Sequence, residues 1–144
     1  MAMTGVVATI QMGFDRGPWS ARQARRAVQD CLNDETPTET MENAALLTSE
    51  LVTNAVTHSL SAGELVAYYD RLAMWLRVEV RDNSPVLPQM QDRFTVGRVG
   101  GLGLWLVDTL ASRWGTTATA TGKTVWFELK WSEDGAHRGF RHAP

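Results

Sequence analysis

The sequence contains a single cysteine, Cys31, in 144 residues, so no disulfide can form within the chain. Such usage suits a reducing compartment. Cys31 falls in helical register with Ala24, Ala27 and Val28, the setting of a small packing residue rather than a nucleophile. Positive charge is not in excess either. The formal net charge is −2, which leaves no extended basic surface for nucleic acid. No apolar run approaches the roughly 20 residues that a bilayer-spanning helix needs, and no basic-then-apolar leader opens the chain. The expectation is a cytoplasmic protein without direct contact to membrane or nucleic acid. His137 and His142 lack a neighbouring set of metal-ligating residues, and no internal repeat is visible.

What is present is ordinary in bulk, with 44% hydrophobic and 21% charged residues. This length supports one domain with a real core, here expected over 1–131, with a poorly ordered tail at 132–144. Val6–Met12 is β-branched and weakly alternating, and reads as a strand. Ser20 followed by Gln23 forms a capping box for a helix from Ala21 to Leu32. Its polar face carries Arg22, Arg25 and Arg26, a solvated face in the plainer reading and a docking patch in the other. Thr36-Pro37-Thr38-Glu39 then gives an N-cap, a proline at the first helical position and a glutamate at the third, opening a helix that runs to His58. Strands are expected near Glu64–Asp70 and Met74–Asp82, the latter with Met74, Leu76, Val78 and Val80 on one face. Asn83–Gly100 is a long connection with two prolines, Pro85 and Pro88, and loops of that length inside a compact domain are usually functional. A helix from the Gly100–Leu104 run to Ser112 follows. Strands around Gly115–Ala120 and Lys123–Trp131 then form a hairpin turned at Thr121-Gly122.

Three pieces could carry chemistry. On the long helix, at roughly 100° per residue, Glu50, Asn54 and His58 share one narrow wedge, bracketed by Leu46, Leu47, Leu51, Val52, Ala55 and Val56. A helix so apolar should be mostly buried, and an unpaired buried carboxylate is costly. Taken alone, Glu50 and Asn54 could simply line an exposed edge. Asp82, closing a strand, can accept a hydrogen bond from an exocyclic amine such as adenine's; an Asp-Asn pair is more often a turn former. Gly100, Gly101 and Gly103 precede or open a helix, leaving backbone N–H groups free to approach an anion, although glycines also start helices for steric reasons. An asparagine oxygen can ligate Mg²⁺, and a glutamate one turn away can orient or deprotonate a nucleophile. Jointly these describe a nucleotide site without a Walker P-loop. Thr121-Gly122-Lys123-Thr124 imitates a P-loop end, but Thr117 stands where its first glycine belongs, and a strand follows instead of a helix.

With those residues in view, the chain resembles the GHKL (Bergerat-fold) ATPases. Glu50-Leu51-Val52-Thr53-Asn54-Ala55-Val56-Thr57-His58 is similar to their N-box, Val78–Pro85 to a G1 box, and Gly97–Val107 to a G2 box. The similarity runs from about Trp19 to Leu129 and is strongest with small bacterial anti-sigma factor/serine-protein kinases. The resemblance implies an α/β two-layer sandwich: a mixed, mainly antiparallel sheet covered on one face by three helices. It implies ATP and Mg²⁺ as cofactors, Glu50 as catalytic base and Asn54 as the Mg²⁺ ligand, with His58 near the same site. Asp82 would read the adenine amino group, Thr124 would support the adenine pocket, and Gly101, Leu102, Gly103 and Leu104 would contact the phosphates. The implied partners are a sigma factor and an anti-anti-sigma protein of the STAS type whose serine is phosphorylated; a homodimer is left open. The G1 box departs from D-x-G-x-G, reading Asp82-Asn83-Ser84-Pro85-Val86, so both glycines and their backbone freedom are gone. The segment before Gly100 is short for a lid. No phosphoacceptor-histidine helix precedes the domain, an expectation against a complete sensor histidine kinase. The rival from another class is a non-catalytic module that sequesters its partner.

Overall fold

The computed structural model describes residues 7–32, 35–58, 62–84 and 101–133. Strand β1 (Val7–Phe14) is followed by helices α1 (Ser20–Cys31) and α2 (Thr38–His58). Strands β2 (Gly63–Asp70) and β3 (Trp75–Asp82), helix α3 (Gly101–Leu110), and strands β4 (Arg113–Ala118) and β5 (Lys123–Lys130) complete the order. The sheet runs β1-β2-β3-β5-β4, and all four pairings are antiparallel. The expected sandwich is thus present, with its mixed sheet replaced by an antiparallel one among the described strands. The long connection containing Pro85 and Pro88, and most of the tail with His137 and His142, lie outside the described residues.

Period-two alternation decides which side of the sheet is dry. Leu65, Ala67 and Tyr69 of β2, Leu76, Val78 and Val80 of β3, and Val125, Phe127 and Leu129 of β5 are buried toward the helices. Helix α2 meets them with Leu47, Leu51, Val52 and Ala55, α1 contributes Ala24 and Val28, and α3 contributes Val107. Full burial of each large side chain is worth about 1.5–3 kcal/mol. Cys31 packs at the core margin, and its burial raises the thiol pKa, consistent with a packing role.

Two local expectations are corrected. Ser20 does not cap α1: its hydroxyl donates to the Asp15 carbonyl at 2.7 Å and to Asp15 Oδ1 at 3.1 Å, and Trp19 takes the N-cap position without a side-chain bond. Asp15 Oδ1 also accepts from the Gly17 N–H at 2.7 Å, so the turn claims the serine before the helix can. Strand β3 starts at Trp75 rather than Met74, because Met74 sits at φ 52° to close the β2–β3 turn.

Opposite the helices, the sheet carries a ladder of ion pairs. Arg77 Nε lies 2.8 Å from Glu79 Oε2 and its Nη1 lies 2.7 Å from Glu128 Oε2. Arg81 reaches Glu79 at 2.9 Å and Glu64 at 3.1 Å, and the Gln11 amide donates to Glu64 at 2.6 Å. The Arg77 guanidinium stacks 4.1 Å above the Trp126 ring.

Candidate functional site at one end of the sheet

The close of β3, the opening of β5 and the opening of β2 share one end of the sheet. Arg81 and Asp82 at the close of β3 pair with Thr124 and Lys123 at the opening of β5. Beyond α3, the Ser112 N–H donates to the Glu128 carbonyl at 2.8 Å, and Ser112 Oγ accepts from the Lys130 N–H at 2.9 Å. Those bonds pin the C-terminal end of α3 beside Glu128 and Lys130 in the second half of β5. Thr36, just before α2, shares a cavity with Tyr69, Met74 and Trp131. The first turn of α2 therefore lies at the far end too. At 1.5 Å per residue, its second half carries Glu50, Asn54 and His58 toward Asp82. The cavity itself, about 450 Å³, is roughly 25 Å from Asp82 by the length of β3 and is not part of this site.

The wedge on α2 is graded. Glu50 and Asn54 are half-buried and His58 is exposed. Glu50 takes no hydrogen bond or ion pair from the described residues, and burial raises its pKa above the ordinary carboxylate value. A half-buried, unengaged carboxylate with raised basicity, one helical turn before an amide, suits proton transfer at an incoming hydroxyl. Among the described residues no group of three His, Cys, Asp or Glu side chains could hold a metal ion by itself.

Asp82 is buried with a side chain only 1% exposed. Its Oδ1 accepts from the Ser84 N–H at 2.8 Å and from Lys123 Nζ at 3.0 Å, and its Oδ2 lies 3.0 Å from the same ammonium. Lys123, itself 5% exposed, is the residue that sequence reasoning missed. The signal was available in the strand register: directly opposed residues share a face, and Lys123 stands opposite Asp82. Thr124 does not join them. Its neighbours are Arg81 and Thr117, on the face away from the helices, which corrects the expectation that it supports the base pocket. Gly122 explains how the hairpin closes on this corner, since a Cβ there would collide with the Asp82 carbonyl and lie 2.7 Å from Asn83 Cα. Gly101 and Gly103 fall in the first turn of α3, while Leu104 is buried and its apolar side chain has no hydrogen-bond donor to offer a phosphate. The side chain of Leu102 is outside the described residues.

Residues 15–129 match the histidine kinase-like ATPase domain, and the chain belongs to that family. ATP binding of the GHKL kind is the function that membership supports. No curated protein matches the chain. No helix among the described residues is long and apolar enough to cross a membrane.

Proposed function

We propose that this protein is an ATP-binding regulator of the anti-sigma type, acting as a Mg²⁺-dependent serine kinase on a small anti-anti-sigma partner. The observation that carries the reading is Glu50: half-buried, unengaged by the described residues and raised in pKa by desolvation. Asn54 would hold Mg²⁺ through its side-chain oxygen, Asp82 would take the exocyclic amine of the base, and the backbone at Gly101 and Gly103 would face the phosphates. The nucleotide, when bound, supplies the phosphoryl group. Glu50 orients the partner's serine hydroxyl and takes its proton, while the rest of the site positions groups and excludes water.

The altered turn after Asp82 and the ion pair that already engages its carboxylate favour a second reading, a non-catalytic module that only sequesters its partner. Incubating the purified chain with Mg²⁺, γ-labelled ATP and candidate partner proteins decides between them. Label transferred to a partner serine supports the kinase. A chain that binds ATP and partner but transfers no label is the sequestering module.

A further inference from the structure

The Asp82–Lys123 pair has a property that a purely structural ion pair does not require. An ammonium carries three N–H donors. Among the described residues, the polar partners of Lys123 are the two oxygens of Asp82, at 3.0 Å each. Three donors facing two acceptors leave donor capacity on a cation that is 95% removed from solvent, and a buried donor without an acceptor is costly. Asp82 is asymmetric in the same sense. Its Oδ1 is held by both Ser84 and Lys123, whereas Oδ2 has Lys123 alone. The corner therefore presents an acceptor, Oδ2, directly beside a cationic donor, Nζ.

That pattern is complementary to one edge of a nucleobase. Adenine carries a donor, its 6-amino group, next to an acceptor, ring nitrogen N1. Resting on the nucleotide-site reading above, we propose that Lys123 is a specificity-determining residue of the site, donating a hydrogen bond to N1 while Asp82 Oδ2 accepts from the 6-amino group. A neutral side chain at position 123 would leave Asp82 to read the amine alone. The ammonium adds a second test of the base and holds Asp82 in the orientation needed for the first. Lys123 is suited to this because strand pairing fixes its backbone opposite Asp82, and the Gly122 contact fixes the turn before it. A hydrogen bond to a charged donor is worth about ten- to a hundredfold in affinity.

The experiment titrates the full chain by calorimetry with ADP and with 1-deaza-ADP, which has the same shape and amine but a C–H in place of N1. Wild type is expected to prefer ADP by about tenfold or more, and Lys123→Met is expected to bind the two alike. Equal affinity of wild type for both nucleotides overturns the proposal, as does a preference that survives intact in Lys123→Met. The wild-type comparison needs no variant, so the proposal remains open to refutation even if Lys123→Met fails to fold with Asp82 left unpaired. If ADP does not bind wild type at all, both this inference and the nucleotide-site reading fall; ADP binding without discrimination at N1 removes the inference alone.

Discussion

Glu50 shows how far a single residue can be interpreted. Its raised pKa, caused by desolvation, means that the ionised carboxylate is less favourable in the folded chain than in the unfolded one. The penalty is present above the folded pKa and vanishes as pH falls below the ordinary value near 4.5. Glu50→Gln, which keeps the shape, should therefore raise the melting temperature of the nucleotide-free protein at pH 7, with the two melting curves converging in acid. The same change should slow phosphoryl transfer about 10²–10⁴-fold, the usual worth of general-base assistance. A variant that melts lower at pH 7, or transfers at the wild-type rate, removes Glu50 from the role. Asn54→Ala should leave the fold unchanged and abolish the enhancement of ADP binding by Mg²⁺, measured by titration at several Mg²⁺ concentrations; undiminished Mg²⁺ dependence contradicts the ligand assignment. The α2 residues were legible because helical spacing alone groups Glu50, Asn54 and His58. Lys123 was not legible, because its significance depends on which residue stands across the ladder, a non-local fact absent from its own neighbourhood.

At the level of elements, hydrophobic periodicity and caps located every helix and strand that the structure describes, and tertiary contacts moved their ends. Met74 is apolar and in phase with β3, yet its φ of 52° places it in the turn. The competition of Asp15 for the Ser20 hydroxyl likewise overrode a capping pattern that local sequence favours. The β4–β5 hairpin matters most for the site. Its turn is closed by the Thr119 N–H donating to the Gly122 carbonyl at 2.9 Å and by the Gly122 N–H donating to Thr119 Oγ1 at 3.0 Å, and it presses on Asp82 and Asn83. Gly122→Ala cannot be accommodated without moving one backbone off the other. It should destabilise the domain by about 1–3 kcal/mol, seen as a melting temperature lower by several degrees, and should weaken ADP binding by displacing the Asp82–Lys123 corner. Wild-type stability in Gly122→Ala would show that the hairpin does not bear on Asp82 in solution.

Across the whole molecule, the two faces of the sheet are stabilised by different physics. The helix-covered face relies on burial around Phe127. The other face neutralises its charge internally, Arg77, Arg81 and Arg113 facing Glu64, Glu79 and Glu128 across all the strands from β2 to β4. The carboxylates at its centre are well shielded, with 14% of the Glu79 side chain and 12% of Glu128 exposed, so the network is more than the isolated surface pairs that contribute little. Glu79 is its hub. Burial alone would raise its pKa, but hydrogen bonds and attraction from Arg77 and Arg81 outweigh that and hold it below the ordinary value of 4.5. A depressed carboxylate stabilises the fold fully above its unfolded pKa and loses that contribution as pH falls through the folded one. The Glu79 contribution to the wild-type melting temperature should therefore be complete above the ordinary value of 4.5 and decline as the pH falls below it. Glu79→Gln should melt lower at neutral pH, because it leaves two guanidiniums short of their shared partner, and should lose less on acidification than wild type does. Parallel slopes for the two proteins as the pH falls below the ordinary value of 4.5 would place the acid sensitivity elsewhere. Added salt provides the control: it should narrow the difference between the proteins only in part at neutral pH, since Arg81 is 43% exposed and screened while Arg77 and Glu79 are more shielded.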